Sequence, residues 1–234
     1  MNKPKQLIFP FQIDQRASFE SFFCAPDNHE LMSRLREAVA DNQTCELIIN
    51  GANGAGKSFL MQAICNELSA SGKHFGFIPM NKAINMGVEI FHNLASLDAV
   101  CIDDLQLILG NREWEEAIFH LINECQQANC SLVSSFSGDQ AIEAATDLPD
   151  LLSRLKRMEY MTLHAVQDEF LNQALDFVSL QLDINLEKAE LEFLLKHHTR
   201  EFSLLVETLI ALDKQAASLK RKITNPLIKE TLNL

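Results

Sequence analysis

Apolar and polar positions change texture along this chain. "CELIIN" (45–50) reads as a buried strand, and "KSFLMQAICNELSASG" (57–72) as a helix with Leu60, Ile64 and Leu68 on one face and Gly72 as its stop. "HFGFIPM" (74–80), "LDAVCIDD" (97–104) and "CSLVSS" (130–135) are further strands, and "RMEYMTLHA" (157–165) contains another. Residues 82–95 are loosely helical and 111–128 form an amphipathic helix. Five short apolar strands alternating with helices predict an α/β fold, a five-stranded parallel sheet with helices on both faces. After about residue 166 every segment has helical periodicity: 167–182, 186–198, 200–222 and 225–234. The expected organisation is an α/β domain over 16–165 and a small α-helical domain over 166–234, preceded by a separate segment, 1–15.

That first segment breaks the pattern. "QLIFPF" (6–11) is too short for a membrane span or a signal-peptide core, and Pro10 interrupts any helical stripe. A greasy tip either tucks into the core or reaches for a partner. No apolar run approaches the roughly 18 residues of a membrane helix. The net charge of −12 argues against a domain that mainly grips nucleic acid, which needs clustered Lys and Arg. The dense basic cluster "KRK" (220–222) fits a solvated helix face. Six cysteines without a C-x-x-C pair suit small buried hydrophobes in a reducing cytoplasm.

The strongest chemical signal is "IINGANGAGKSFL". Gly51, Gly56, Lys57 and Ser58 fill G-x-x-x-x-G-K-[ST] between a strand and a helix, the context that the phosphate loop requires. The loop Gly51, Ala52, Asn53, Gly54, Ala55, Gly56 lets backbone amides wrap a phosphate, with Lys57, Ser58 and Phe59 opening the helix. Lys57 is expected to reach the β- and γ-phosphates and Ser58 to hold Mg2+. Asp103 and Asp104 close a later strand; Asp103 is expected to orient Mg2+ through water and Asp104 to polarise an attacking water. Two acids after a strand also suit a helix N-cap.

These motifs, with "VCIDDLQ", "WEEAIFHLIN", "LPDLLSRL" and "NPLIKETLNL", resemble the DnaA branch of the AAA+ phosphate-loop ATPases, and within it the DnaA-homologous regulators of bacterial replication initiation. The resemblance implies an AAA+ domain followed by a helical lid. The terminal DNA-reading domain of DnaA is expected to be missing. Arg154 in "LPDLLSRL" matches the family's arginine finger, which acts in trans on a neighbouring protomer's nucleotide. Ser203 falls where the lid normally offers a sensor-2 arginine, with Arg200 one turn earlier as a substitute or a plain surface residue. Sensor 1 is open among Ser135, Ser137 and Asp139.

"QLIFPF" resembles the sliding-clamp-binding motif, with Gln6 at the rim of the clamp pocket and Leu7, Phe9 and Phe11 filling it. The resemblance therefore implies a cytoplasmic regulator with the β clamp of DNA polymerase III and DnaA as partners. It would hold ADP (or ATP) with Mg2+, self-assemble as a homo-oligomer if at all, and meet DNA only indirectly. It would stimulate hydrolysis of DnaA-bound ATP rather than be an efficient ATPase itself. The competing reading is a self-contained AAA+ ATPase acting as a loader or a DNA-positioning adaptor.

Overall fold

Five runs of apolar residues form the strands β1 (Glu46–Asn50), β2 (Phe75–Pro79), β3 (Ala99–Asp103), β4 (Ser131–Phe136) and β5 (Glu159–Thr162). They make one parallel sheet in the order β2-β3-β4-β1-β5. The computed structural model describes residues 11–40, 44–138 and 141–232. Helices α1 (His29–Ala40), α2 (Lys57–Ala70), α3 (Met80–Ala83), α4 (Arg112–Ala128), α5 (Ile142–Ala145) and α6 (Pro149–Leu155) flank the sheet. Alternate side chains of each strand enter opposite cores. Leu47, Ile49, Cys101 and Val133 pack with α1 and α2, whereas Ile48, Val100, Ile102 and Leu132 pack with α4 and α6.

The stretch expected to be loosely helical, 82–95, is instead α3 followed by three 3-10 turns (84–86, 88–91 and 94–96). Gly87 (φ 84°) and Asn93 (φ 63°) take left-handed conformations that break any continuous helix. Helices α1 and α6 were not among the expected elements. Of the six cysteines, all are free and five are buried, with Cys24 half-buried.

The C-terminal part is a second helical layer with its own core: α7 (Leu171–Gln181), α8 (Lys188–His197), α9 (Phe202–Leu219) and α10 (Asn225–Leu232). Leu171, Leu175, Leu194, Leu205, Leu209 and Ile228 meet at its centre. Among the described residues no helix is long and apolar enough to cross a membrane.

Two polar ties join segments far apart in sequence. Asn66 Nδ2 donates to the carbonyls of Asp14 and Ala17 at 2.9 and 2.7 Å, fastening the N-terminal stretch to α2. Asn28, only 1% exposed, donates from Nδ2 to the His164 carbonyl and accepts the His164 N–H, both at 2.9 Å. His164 lies just past β5, in the connector to the helical layer. Asn28→Ala should therefore remove both hydrogen bonds and lower stability by about 1–3 kcal/mol, at roughly 0.5–1.5 kcal/mol per bond. Urea unfolding should show this as a lower midpoint at unchanged slope.

Candidate functional site

The phosphate loop is built by glycines at positions that reject larger residues. Gly54 (φ 76°) and Gly56 (φ 101°) are left-handed, and Gly56 leads directly into α2. A Cβ on Gly51 would lie 2.5 Å from the Leu163 carbonyl oxygen, so the loop rests against the connector without a gap. Lys57 is 5% exposed, and its Nζ donates to the carbonyls of Gly51 (2.8 Å) and Ala52 (2.7 Å). Burial pushes its pKa down, against the pull of Asp104 and Asp103.

The second half of the site stands at the end of β3. Asp103 is 3% exposed and accepts a hydrogen bond of 2.5 Å from Ser135 Oγ. Burial raises its pKa, opposed first by the hydrogen bonds of Ser135 and Ser58, with Asp104 adding to the rise and Lys57 opposing it. Ser135 Oγ also accepts the Asp104 N–H at 2.9 Å. Asp104 itself is left-handed (φ 64°), a conformation Asp tolerates. Gln106 bridges onward: its Nε2 donates to Asp104 Oδ1 and its Oε1 accepts the Ser137 N–H, both at 2.9 Å. Ser137 Oγ is buried and has no hydrogen-bond partner among the described residues. Of the three sensor-1 candidates, Ser135 is thus spoken for by the paired acids, Ser137 has a free hydroxyl, and Asp139 lies outside the described residues.

A cleft of about 350 Å³ opens between the α/β layer and the helical layer. Gly54, Ala55, Gly56 and Phe59 line one side, with Phe22 and Phe23. Val178, Leu182, Phe202, Ser203, Val206 and Ile210 line the other. Phe22 and Phe59 pack with ring centres 6.1 Å apart, and Phe23 meets Phe177 edge-on at 5.8 Å. The start of α9 reaches the phosphate loop: a Cβ on Gly54 would lie 2.6 Å from Glu201 Oε1 and 2.7 Å from Ser203 Oγ. Ser203 Oγ donates to Glu201 Oε1 at 2.8 Å. Arg200 points elsewhere and pairs with Asp168 at 2.9 Å.

Arg154 stands apart from this cleft. It sits in the last turn of α6, half-buried, and among the described residues its guanidinium has no ion-pair partner. Gln6, Leu7 and Phe9 lie outside the described residues. Phe11 is described, and it packs half-buried against the cores on both sheet faces.

Chemically, the loop amides, the buried Lys57 and an apolar cleft rimmed by Phe22 and Phe59 suit a phosphorylated ligand with a flat aromatic part. Ser58 and Asp103 supply hard oxygen donors of the kind Mg2+ prefers. Among the described residues no cluster of three His, Cys, Asp or Glu could hold a metal unaided, so phosphate oxygens and water would complete such a site.

Comparison with known proteins agrees with this geometry. The family profile of the bacterial DnaA ATPase domain matches residues 13–163, well over half of the chain. The chain belongs to the bacterial DnaA ATPase-domain family. A second profile, the lid domain of Hda, matches residues 168–232, so this DnaA-like AAA+ protein ends in an Hda-type lid. Domain III of Thermotoga maritima DnaA is similar with a TM-score of 0.79 at 18% identity, over 95% of this chain and 98% of that one. The AMPPCP-bound DnaA of Aquifex aeolicus gives 0.72 at 19%, over 87% and 67%. The T. maritima RuvB branch-migration motor gives 0.67 at 16%, over 94% and 72%. Membership of the DnaA family ties the chain to replication initiation.

Sequence reasoning missed Phe22, Phe23, Phe202, Gln106 and Glu201. Gln106, two residues past the paired acids, carried a local signal; the aromatic walls and Glu201 come from distant segments that only the fold assembles. A pH test isolates Asp103. Because its folded pKa lies above the ordinary 3.8, its stabilising contribution is complete below that value and disappears as pH rises through the folded pKa. Asp103→Asn should therefore unfold at higher urea than the parent at pH 8, and the advantage should shrink towards pH 4.

Proposed function

We propose that this protein is a regulator of replication initiation that stimulates hydrolysis of DnaA-bound ATP through Arg154 while tethered to the sliding clamp. The observation that carries the reading is the position of Arg154. It stands outside the chain's own cleft, half-exposed and without a charged partner among the described residues. A guanidinium so placed is free to meet phosphate charge on another protomer, where such a finger contributes roughly 10³ or more in rate.

The chain's own site is read as a nucleoside-diphosphate site. Gly54–Lys57 would hold the phosphates, Ser58 and Asp103 a Mg2+ between phosphate oxygens and water, and Phe22 and Phe59 the base. When bound, the metal would neutralise phosphate charge. Glu201 sets a carboxylate oxygen against Gly54, in the region where the family pattern expects an arginine, and Arg200 is committed to Asp168. A third phosphate would meet like charge there. Titration calorimetry should find ADP bound at least as tightly as ATP. A tenfold preference for ATP, about 1.4 kcal/mol, would contradict this, and Glu201→Arg should move the preference towards ATP.

The clamp tether rests on the resemblance of Gln6, Leu7, Phe9 and Phe11 to a clamp-binding motif. Phe11 packs on the chain's own core, so the part read as reaching the clamp is Gln6 to Phe9. Turnover of DnaA-bound ATP, measured with clamp loaded on DNA, tests the whole reading. Arg154→Ala should abolish stimulation while clamp and nucleotide binding persist. Leu7→Ala with Phe9→Ala should remove clamp binding and lower stimulation, with little change in melting temperature. If Arg154→Ala keeps more than half of the stimulation, the competing reading of a self-contained ATPase gains, and the chain's own hydrolysis becomes the quantity to measure.

A further inference from the structure

Glu115 lies on the buried stripe of α4, among Trp114, Ile118 and Ile122, and is 0% exposed. Among the described residues no cation pairs with it. A carboxylate is costly to bury unless hydrogen bonds replace its water. Here three backbone amides do so. Oε1 accepts the N–H of Gly110 at 2.8 Å and of Asp147 at 2.9 Å, and Oε2 accepts the N–H of Leu148 at 2.6 Å.

The donors belong to two loops distant in sequence. Gly110 closes the loop that begins at Asp104 and ends at Asn111, the N-cap of α4. Asp147 and Leu148 are the last residues before α6, and Leu148 is its N-cap without a side-chain cap. With seven residues, α6 gains little cohesion from its own hydrogen bonds and depends on what holds it from outside. Leu151 and Leu155 anchor one face in the core, and Glu115 holds the start. Arg154 lies between those two leucines in sequence and is half-buried.

We infer that Glu115 is the positioning residue for Arg154: its carboxylate locks the start of α6 to the loop that follows the paired acids, and so sets where the guanidinium points. The inference rests on the trans-acting reading of Arg154 above. It goes beyond that reading in making the direction of Arg154 depend on a buried acid that touches no nucleotide.

Glu115→Gln keeps the side chain's length and shape but turns an NH2 towards amides that need an acceptor. Hydrogen exchange of the purified protein should then speed up at residues 147–155 by about tenfold or more, the loss expected of one charge-assisted bond. Nucleotide affinity should stay within about twofold, since the carboxylate is outside the cleft, and stimulation of DnaA-bound ATP hydrolysis should fall towards that of Arg154→Ala. Unchanged exchange in α6 would overturn the inference. So would exchange raised throughout the α/β layer with nucleotide binding lost, or a loosened α6 with full stimulation. Should Arg154→Ala itself leave stimulation intact, the trans reading falls, and exchange in α6 still decides whether Glu115 sets that helix. Should Glu115→Gln fail to fold, the unaltered chain decides: the amides of Gly110, Asp147 and Leu148 should exchange as slowly as those of the central strands, and fast exchange there would overturn the inference.

Discussion

The parallel register of β3, β4 and β1 is the constraint on which the site depends. Asn50 stands level with Phe136, and Ile102 with Ser134, so the ends of the three strands finish side by side. A loop leaving β1 and an acid closing β3 then share one crevice, with β4 between them. Ser135 fills the gap by donating to Asp103 and accepting from Asp104. A slip of one residue in β4 would turn Ser135 to the opposite face and separate the two halves.

Around that edge the chain buries polar groups that a core would ordinarily reject. Each is satisfied by backbone or by a short side chain, not by an opposite charge in contact. Lys57 uses loop carbonyls, Asp103 uses a serine, Glu115 uses three amides and Asn28 uses both backbone groups of one residue. Such bonds tie segments far apart in sequence, and they give direction as well as cohesion. Desolvation leaves Lys57 and Asp103 displaced towards their neutral forms, as is common where charged ligands are handled.

Local pattern made the sheet legible. Strand runs such as "ELIIN" are buried on both faces, and the phosphate loop announces itself through spacing alone. Helix α6 was not legible, because seven residues beginning with Pro149 carry too short a period to stand out. The stretch 82–95 misled for the opposite reason: its apolar spacing suits a helix, but Gly87 and Asn93 divide it. Of the cleft walls only Phe59 followed from the loop pattern, because Phe22 and Phe202 join it only in three dimensions. Glu115 could have been noticed. An acid three residues before Ile118 and seven before Ile122 lies on the stripe that must be buried.

Gly51 touches the connector at Leu163 and Gly54 touches the start of α9, so the phosphate loop is gripped from both sides. Mechanically, the loop is a washer between two plates. A shift of the start of α9 towards the loop would press Glu201 and Ser203 against Gly54. The placement of the helical layer and the shape of the loop therefore meet at Gly54, while Gly51 fixes the loop to the connector. A protein that displaced α9 would thus act on the phosphate cradle by direct contact at Gly54.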